Sequence, residues 1–161
     1  LNDKNRTPIE RAGDLFQIAI PLSGVGYTYY SNDIIGRKQF WKTYLSSLSL
    51  TYILKYTIKK ERPNGHCCES FPSGHTSAAF AGAMFINNRY GSKFGIPAIF
   101  LASFVGYSRV YAEKHYWEDV LAGALISVMA SIFYTTNNTS NENISLFLNP
   151  LNNKISINLK I

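Results

Sequence analysis

The stretch Pro72-Ser73-Gly74-His75-Thr76-Ser77-Ala78-Ala79-Phe80-Ala81-Gly82-Ala83-Met84-Phe85-Ile86 decides how the rest of the chain is read. From Thr76 to Ile86 it is a run of small and apolar residues, longer than an ordinary strand, and it predicts a helix. Ser73 is a good N-cap for that helix. The unpaired N–H groups of a first turn form an anion site, and Gly74 lets a ligand come close to the backbone. His75 falls in the same turn, beside any anion held there, where it can donate a proton. A capped helix with an incidental histidine accounts for these four residues taken alone, so the flanking sequence has to decide.

Four more apolar segments surround it: Leu15–Tyr30, Thr43–Leu54, Ile96–Tyr107 and Val120–Tyr134. They are also read as helices, with breaks at Asn32-Asp33, Gly36, Pro63-Asn64-Gly65, Gly91, and Gly95 with Pro97. None of the five has the eighteen or so consecutive apolar residues expected of a membrane span. The mean hydropathy of −0.07 is also low for a polytopic protein. The expectation is an all-α bundle whose helices bury one another, at most dipping into a bilayer surface.

A chain of 161 residues supports one domain of ordinary size. With 46% hydrophobic and 16% charged residues, it is not a disordered polar chain. The helical domain is expected over residues 1–136. Residues 137–161 hold eight Asn and change character. There Ile155, Ile157, Leu159 and Ile161 alternate with polar residues, and Ile144, Leu146 and Leu148 form a partner run, which predicts a small β-hairpin.

The net charge of +6 is concentrated between Arg37 and Arg62, where seven Lys and Arg face one acid, Glu61. Such a field suits a phosphate-bearing partner or a solvated helix face. Cys67 and Cys68 are adjacent, which disfavours a bond between them.

Two further motifs flank the central stretch. In Lys55-x6-Arg62-Pro63 a seven-residue step is nearly two helical turns, so Lys55 and Arg62 share a face, with Pro63 ending the helix. In Ser108-Arg109-x5-His115-x3-Asp119, the four-residue spacing puts His115 and Asp119 on one helix face within hydrogen-bonding reach. A carboxylate on one imidazole nitrogen fixes the tautomer and frees the other nitrogen as a nucleophile. Arg109 adds a planar fork of donors suited to phosphate oxygens. Solvated cations and a surface His–Asp pair would explain either motif in isolation. Together, two arginines, a lysine, a helix N-terminus and two histidines make a set for phosphoryl transfer without a metal. The third histidine, His66, matches nothing and is read as loop.

In this order and spacing the three motifs resemble the signature of the type 2 phosphatidic acid phosphatase superfamily, which also holds bacterial acid phosphatases and vanadium haloperoxidases. Ser70-Phe71-Pro72-Ser73-Gly74-His75-Thr76 and Asp119-Val120-Leu121-Ala122-Gly123 are similar to the family as well. The resemblance covers about sixty-five residues, Lys55 to Asp119. It implies a helical bundle with the active site at one end. By position it makes His115 the nucleophile that forms a phosphohistidine, Asp119 its orienting carboxylate, and His75 the proton donor to the leaving oxygen. Lys55, Arg62, Ser73, Gly74 and Arg109 would bind the phosphoryl oxygens. It implies no metal and no cofactor, with vanadate as a transition-state-mimicking inhibitor.

Two features depart from the family. The loop Asn64–Phe71 is short, and the apolar segments are shorter than the six spanning helices of the lipid-phosphatase branch. The expectation is therefore a secreted or periplasmic bacterial enzyme at a membrane surface, with an integral inner-membrane protein as the alternative. Its substrate would be a lipid phosphate or diphosphate (phosphatidic acid, phosphatidylglycerophosphate, undecaprenyl pyrophosphate or a lipid A phosphate). The competing readings are a soluble nonspecific acid phosphatase, a vanadate-dependent haloperoxidase and a noncatalytic binder of anionic lipid. No nucleic-acid-binding module is visible.

Overall fold

The computed structural model describes residues 6–65, 67–138, 146–149 and 154–157. Five helices carry the fold: α1 (Pro8–Tyr30), α2 (Ile34–Ile58), α3 (Gly74–Tyr90), α4 (Ser92–Tyr111) and α5 (Trp117–Tyr134). Each extends past its apolar segment into charged or polar turns. Local caps set the starts. Thr7 Oγ1 accepts the Glu10 N–H at 3.2 Å, with Pro8 in the first turn, where its missing N–H costs nothing. Asp33 caps α2 by accepting the Gly36 N–H at 2.8 Å, and Ser73 caps α3 as expected.

Two local expectations are corrected. Helix α2 ends at Ile58, because Lys59 adopts a left-handed conformation (φ 50°, ψ 45°) and its N–H closes on the Lys55 carbonyl at 3.2 Å. Arg62 therefore lies in the loop beyond the helix and not on a shared helical face with Lys55. Gly95 and Pro97 do not break α4. A Cβ at Gly95 would lie 2.3–2.5 Å from Asn87 atoms, so this glycine serves the close approach of α4 to α3.

Helix α3 is the axle of the bundle, packed by all four others. Successive helices alternate in direction. The end of α4 (Arg109) therefore meets the start of α1 (Glu10), and the end of α3 (Arg89) meets the start of α2 (Asp33). The apolar core joins Ile20 and Val25 of α1, Phe40 of α2, Ala79 and Phe85 of α3 and Val105 of α4. Between α2, α3 and α5 the interior is polar. Ser47 and Ser127 hydroxyls meet at 2.6 Å, Thr51 and Ser77 at 2.6 Å, and Thr43 and Thr135 at 3.0 Å. Small hydroxyl residues let helix backbones approach closely while satisfying one another.

The large apolar residues point outward, against the expectation of mutually buried helices. On α5, Leu121, Leu125, Met129 and Ile132 form one stripe and are each 57–61% exposed. Leu15, Ile18 and Leu22 form a similar stripe on α1. Exposed aromatic residues collect near both ends: Tyr52, Tyr56, Tyr107, Tyr111 and Trp117 at one, Tyr29, Tyr30, Trp41 and Tyr134 at the other. A water-soluble surface rarely carries so continuous an apolar belt. Helices α4 and α5 are long and apolar enough to cross a membrane. Counting consecutive apolar residues misses this, because Ser, Gly and the charged ends interrupt the run without making the helix polar.

In the tail, β1 (Leu146–Asn149) pairs antiparallel with β2 (Lys154–Ile157), Leu146 opposite Ile157. Ile144, Leu159 and Ile161 lie outside the described residues.

Candidate active site

All eight motif residues lie at one end of the bundle, where α2 and α4 finish and α1, α3 and α5 begin. They form two adjoining groups.

The first is built around His115, which sits in the turn before α5 and is buried. It is not on the helix with Asp119, as the four-residue spacing predicts. Its Nδ1 is 2.7 Å from the Ser70 carbonyl oxygen. A carbonyl can only accept, so Nδ1 carries the proton and Nε2 keeps its lone pair. Asp119 Oδ2 lies 3.8 Å from Nδ1, too far for a direct hydrogen bond. Ser70 links the two instead. The carboxylate accepts the Ser70 hydroxyl at 2.5 Å and the Tyr116 N–H at 2.9 Å, while Lys60 Nζ donates to its other oxygen at 2.8 Å. Lys60 also reaches Glu118 at 2.7 Å.

Buried Lys55 donates to the Glu69 carbonyl at 2.5 Å, and Arg62 lies 3.9 Å from the Glu69 carboxylate. Burial, followed by the charges of Lys55 and Arg62, lowers the His115 pKa to about 3. A neutral, singly protonated imidazole with a free nitrogen is the form a histidine nucleophile needs.

The second group is built around Arg109, which is 1% exposed. Its Nη1 donates to Asp14 Oδ1 at 2.7 Å, Nη2 to the Glu10 carbonyl at 2.8 Å, and Nε to Ser108 Oγ at 3.1 Å. These fix the plane of the guanidinium and use three of its five N–H donors. His75 Nε2 is 3.3 Å from the same Asp14 oxygen. Arg6 binds the other Asp14 oxygen at 2.9 Å, and Lys114 pairs with Glu10.

Backbone contacts stitch the two groups together. The Ser73 N–H donates to the Asp119 carbonyl at 2.9 Å, tying the start of α3 to the start of α5. That approach needs Gly123, where a Cβ would lie 2.6 Å from the Ser73 carbonyl oxygen. On the other side a Cβ at Gly13 would lie 2.0 Å from Ser108 Oγ. Ser73 is fully buried and its Oγ accepts from Thr76, whereas a Cβ at Gly74 would meet nothing nearer than Tyr52 Oη at 3.7 Å. The backbone at the α3 N-terminus is thus open to an anion. An apolar cavity of about 280 Å³ lies at the other end of the bundle, among Ile20, Tyr27, Ile86, Phe94 and Leu101, and has no part in this chemistry.

Residues 39–142, more than half of the chain, match the profile of the PAP2 superfamily. The chain belongs to the PAP2 superfamily. Over 134 residues it is 33% identical to the lipid A 1-phosphatase of Porphyromonas gingivalis, covering 76% of this chain and 29% of that protein. It is 31% identical to lipid phosphate phosphatase 2 of Arabidopsis thaliana, covering 75% of this chain and 48% of that one. It thus spans less than half the length of either relative. Among solved structures it is similar to Aquifex aeolicus LpxE, with a TM-score of 0.58 and 25% identity over 81% of this chain and 87% of that one.

Four residues that bind the motif side chains lie outside the three motifs. Asp14 and Glu10 come from α1, about a hundred positions before the groups they bind, and Lys60 and Ser70 lie between motifs. Lys60 left a trace as part of the basic stretch and Ser70 as the first residue of the phrase Ser70–Thr76, but neither spacing nor residue type marked a role for them.

Proposed function

We propose that this chain is a metal-independent phosphatase that removes a phosphate from a membrane lipid phosphate or diphosphate, through a phosphohistidine. The observation that carries the proposal is His115: a buried imidazole with Nδ1 committed to a carbonyl and Nε2 free, beside Lys55 and Arg62.

His115 Nε2 attacks phosphorus while the bond to the leaving oxygen breaks, and His75 gives that oxygen a proton. His75 then takes a proton from water, whose oxygen attacks phosphorus and releases His115 and inorganic phosphate. Lys55, Arg62, the two unused Arg109 N–H groups and the Gly74 amide stabilise the charge that spreads over the equatorial oxygens. Ser73 shapes that amide cradle as the helix cap. Asp119, through Ser70, keeps Nδ1 protonated and favours the imidazolium that forms as His115 becomes phosphorylated.

The exposed apolar belt between aromatic ends supports a chain embedded in a bilayer, with the site at one membrane face. The lipid phosphatases among its relatives support a lipid substrate. With the likeness to the lipid A 1-phosphatase of Porphyromonas gingivalis as support, the proposed location is the periplasmic face of a bacterial inner membrane.

A hydrolysis panel in EDTA tests the proposal, comparing long-chain lipid phosphates, their short-chain analogues and soluble phosphomonoesters. The expected result is turnover without metal and preference for long chains. Equal rates on soluble monoesters would favour a nonspecific phosphatase, and loss of activity in EDTA would overturn the mechanism.

A further inference from the structure

The site contains a second carboxylate–imidazole pair that no motif supplies. Asp14, one turn into α1 beyond Glu10, places one oxygen 2.7 Å from Arg109 Nη1 and 3.3 Å from His75 Nε2. Its other oxygen is held by Arg6 at 2.9 Å. The groups facing this carboxylate are thus Arg6 on its own helix approach, Arg109 from α4 and His75 from α3. Gly13 makes the approach possible, because a side chain there would collide with Ser108 and Arg109. Burial and then the Arg109 charge pull the His75 pKa down to about 4, and Asp14 opposes them through its charge and its contact with Nε2, leaving Nδ1 as the nitrogen to face an incoming oxygen. The same oxygen fixes Arg109, so the proton donor and the phosphate clamp are held by one atom.

We propose that Asp14 is the positioning residue of the leaving-group acid, holding His75 protonated at Nε2, oriented with Nδ1 toward the leaving oxygen, and in register with Arg109. The inference rests on the phosphatase reading above. In the balanced step, the proton on Nδ1 of the imidazolium passes to the leaving oxygen as the P–O bond breaks. His75 is left neutral with its Nε2 proton still on the Asp14 side. Asp14 itself changes neither protonation nor partner.

This role has a signature that a merely structural one lacks. Help from an acid matters when the leaving group is a poor alkoxide and little when it is a stable phenolate. The test uses the full chain in detergent micelles, with an alkyl phosphate and p-nitrophenyl phosphate as paired substrates. Asp14→Asn is expected to lose about 100-fold or more in kcat/KM on the alkyl phosphate and less on the p-nitrophenyl ester, where only the hold on Arg109 is lost. His75→Asn should show the same selectivity, and the double variant should lose no more than the worse single one. Asp14→Glu, which keeps the carboxylate, should recover part of the alkyl phosphatase activity. Equal losses on both substrates, or additive losses in the double variant, would overturn the role of Asp14 while leaving the phosphatase intact. A wild-type chain that hydrolyses neither substrate would overturn the function itself and this inference with it.

Discussion

Replacing Gly123 by alanine adds one methyl group at the seam on which both halves of the site depend. The new Cβ would lie 2.6 Å from the Ser73 carbonyl oxygen and 3.3 Å from the Ser77 nitrogen. Both are backbone atoms, so no rotamer change relieves the clash and α5 must move away from the start of α3. Overpacking of this kind costs about 1–3 kcal/mol, and backbone contacts put it near the top of that range. Alanine returns about 0.5–1 kcal/mol through its better helix propensity. The net expectation is a loss of about 2 kcal/mol.

The catalytic effect should be larger than the stability effect. Shifting α5 stretches the 2.9 Å bond from Ser73 to the Asp119 carbonyl and moves Asp119 relative to Ser70. A displacement near 1 Å in such a site costs about 100-fold in rate. Gly26→Ala is the control, because a Cβ there meets nothing within 4 Å, and it should be neutral or slightly stabilising. The assay is thermal unfolding in detergent beside kcat/KM for both variants. If Gly123→Ala matched wild type in activity and stability, the close approach of α3 and α5 would not be what organises the site.

Asp119→Asn should fold but slow phosphoenzyme formation by about 100-fold or more in rapid-quench kinetics, since its loss removes the negative charge shared by Ser70 and Lys60. His75 and His115 both have lowered pKa values in the folded chain, about 4 and about 3, and His115 makes the larger contribution to the pH dependence of stability. The His115 pKa is about 6.5 unfolded and lowered to about 3 folded, so the unfolded chain binds the extra proton first. The contribution is fully present above pH 6.5 and is lost as pH falls toward 3. Chemical denaturation midpoints should therefore fall more steeply below pH 6.5 in wild type than in His115→Gln. At the far end of the bundle, Asp33→Asn breaks the two-pronged Arg89 pair at 2.7 and 2.8 Å. It should cost about 3 kcal/mol in unfolding free energy and leave kcat/KM unchanged, because the pair is buried and remote from the site.

The parts of the site that are short-range are the parts that sequence reads well. Ser73 as a cap, Gly74 as an open backbone position and His75 in the first turn depend on neighbours within four residues, and all three stand where expected. The placement of Arg62 and His115 fails for a local reason. Lys59 turns left-handed and ends α2 before Arg62, and α5 starts only at Trp117, so spacing arguments for a continuous helix do not apply to either residue. Asp14 is illegible for a different reason: its meaning comes from Arg109 and His75, which only the closed bundle brings to it. The apolar segments are visible in sequence, but periodicity does not say whether a stripe faces protein or lipid. On α5 the outward stripe carries Leu and Met, and the inward face carries Gly123, Ser127 and Ser131.

The central claim is that His115 bonds to phosphorus. Incubating the full chain with ³²P-labelled substrate, quenching early and mapping the label tests it most directly. The account predicts a phosphoryl group on His115 that is stable to base and lost in acid, and absent from His115→Ala. Label on Ser73, or turnover by His115→Ala at the wild-type rate, would contradict it.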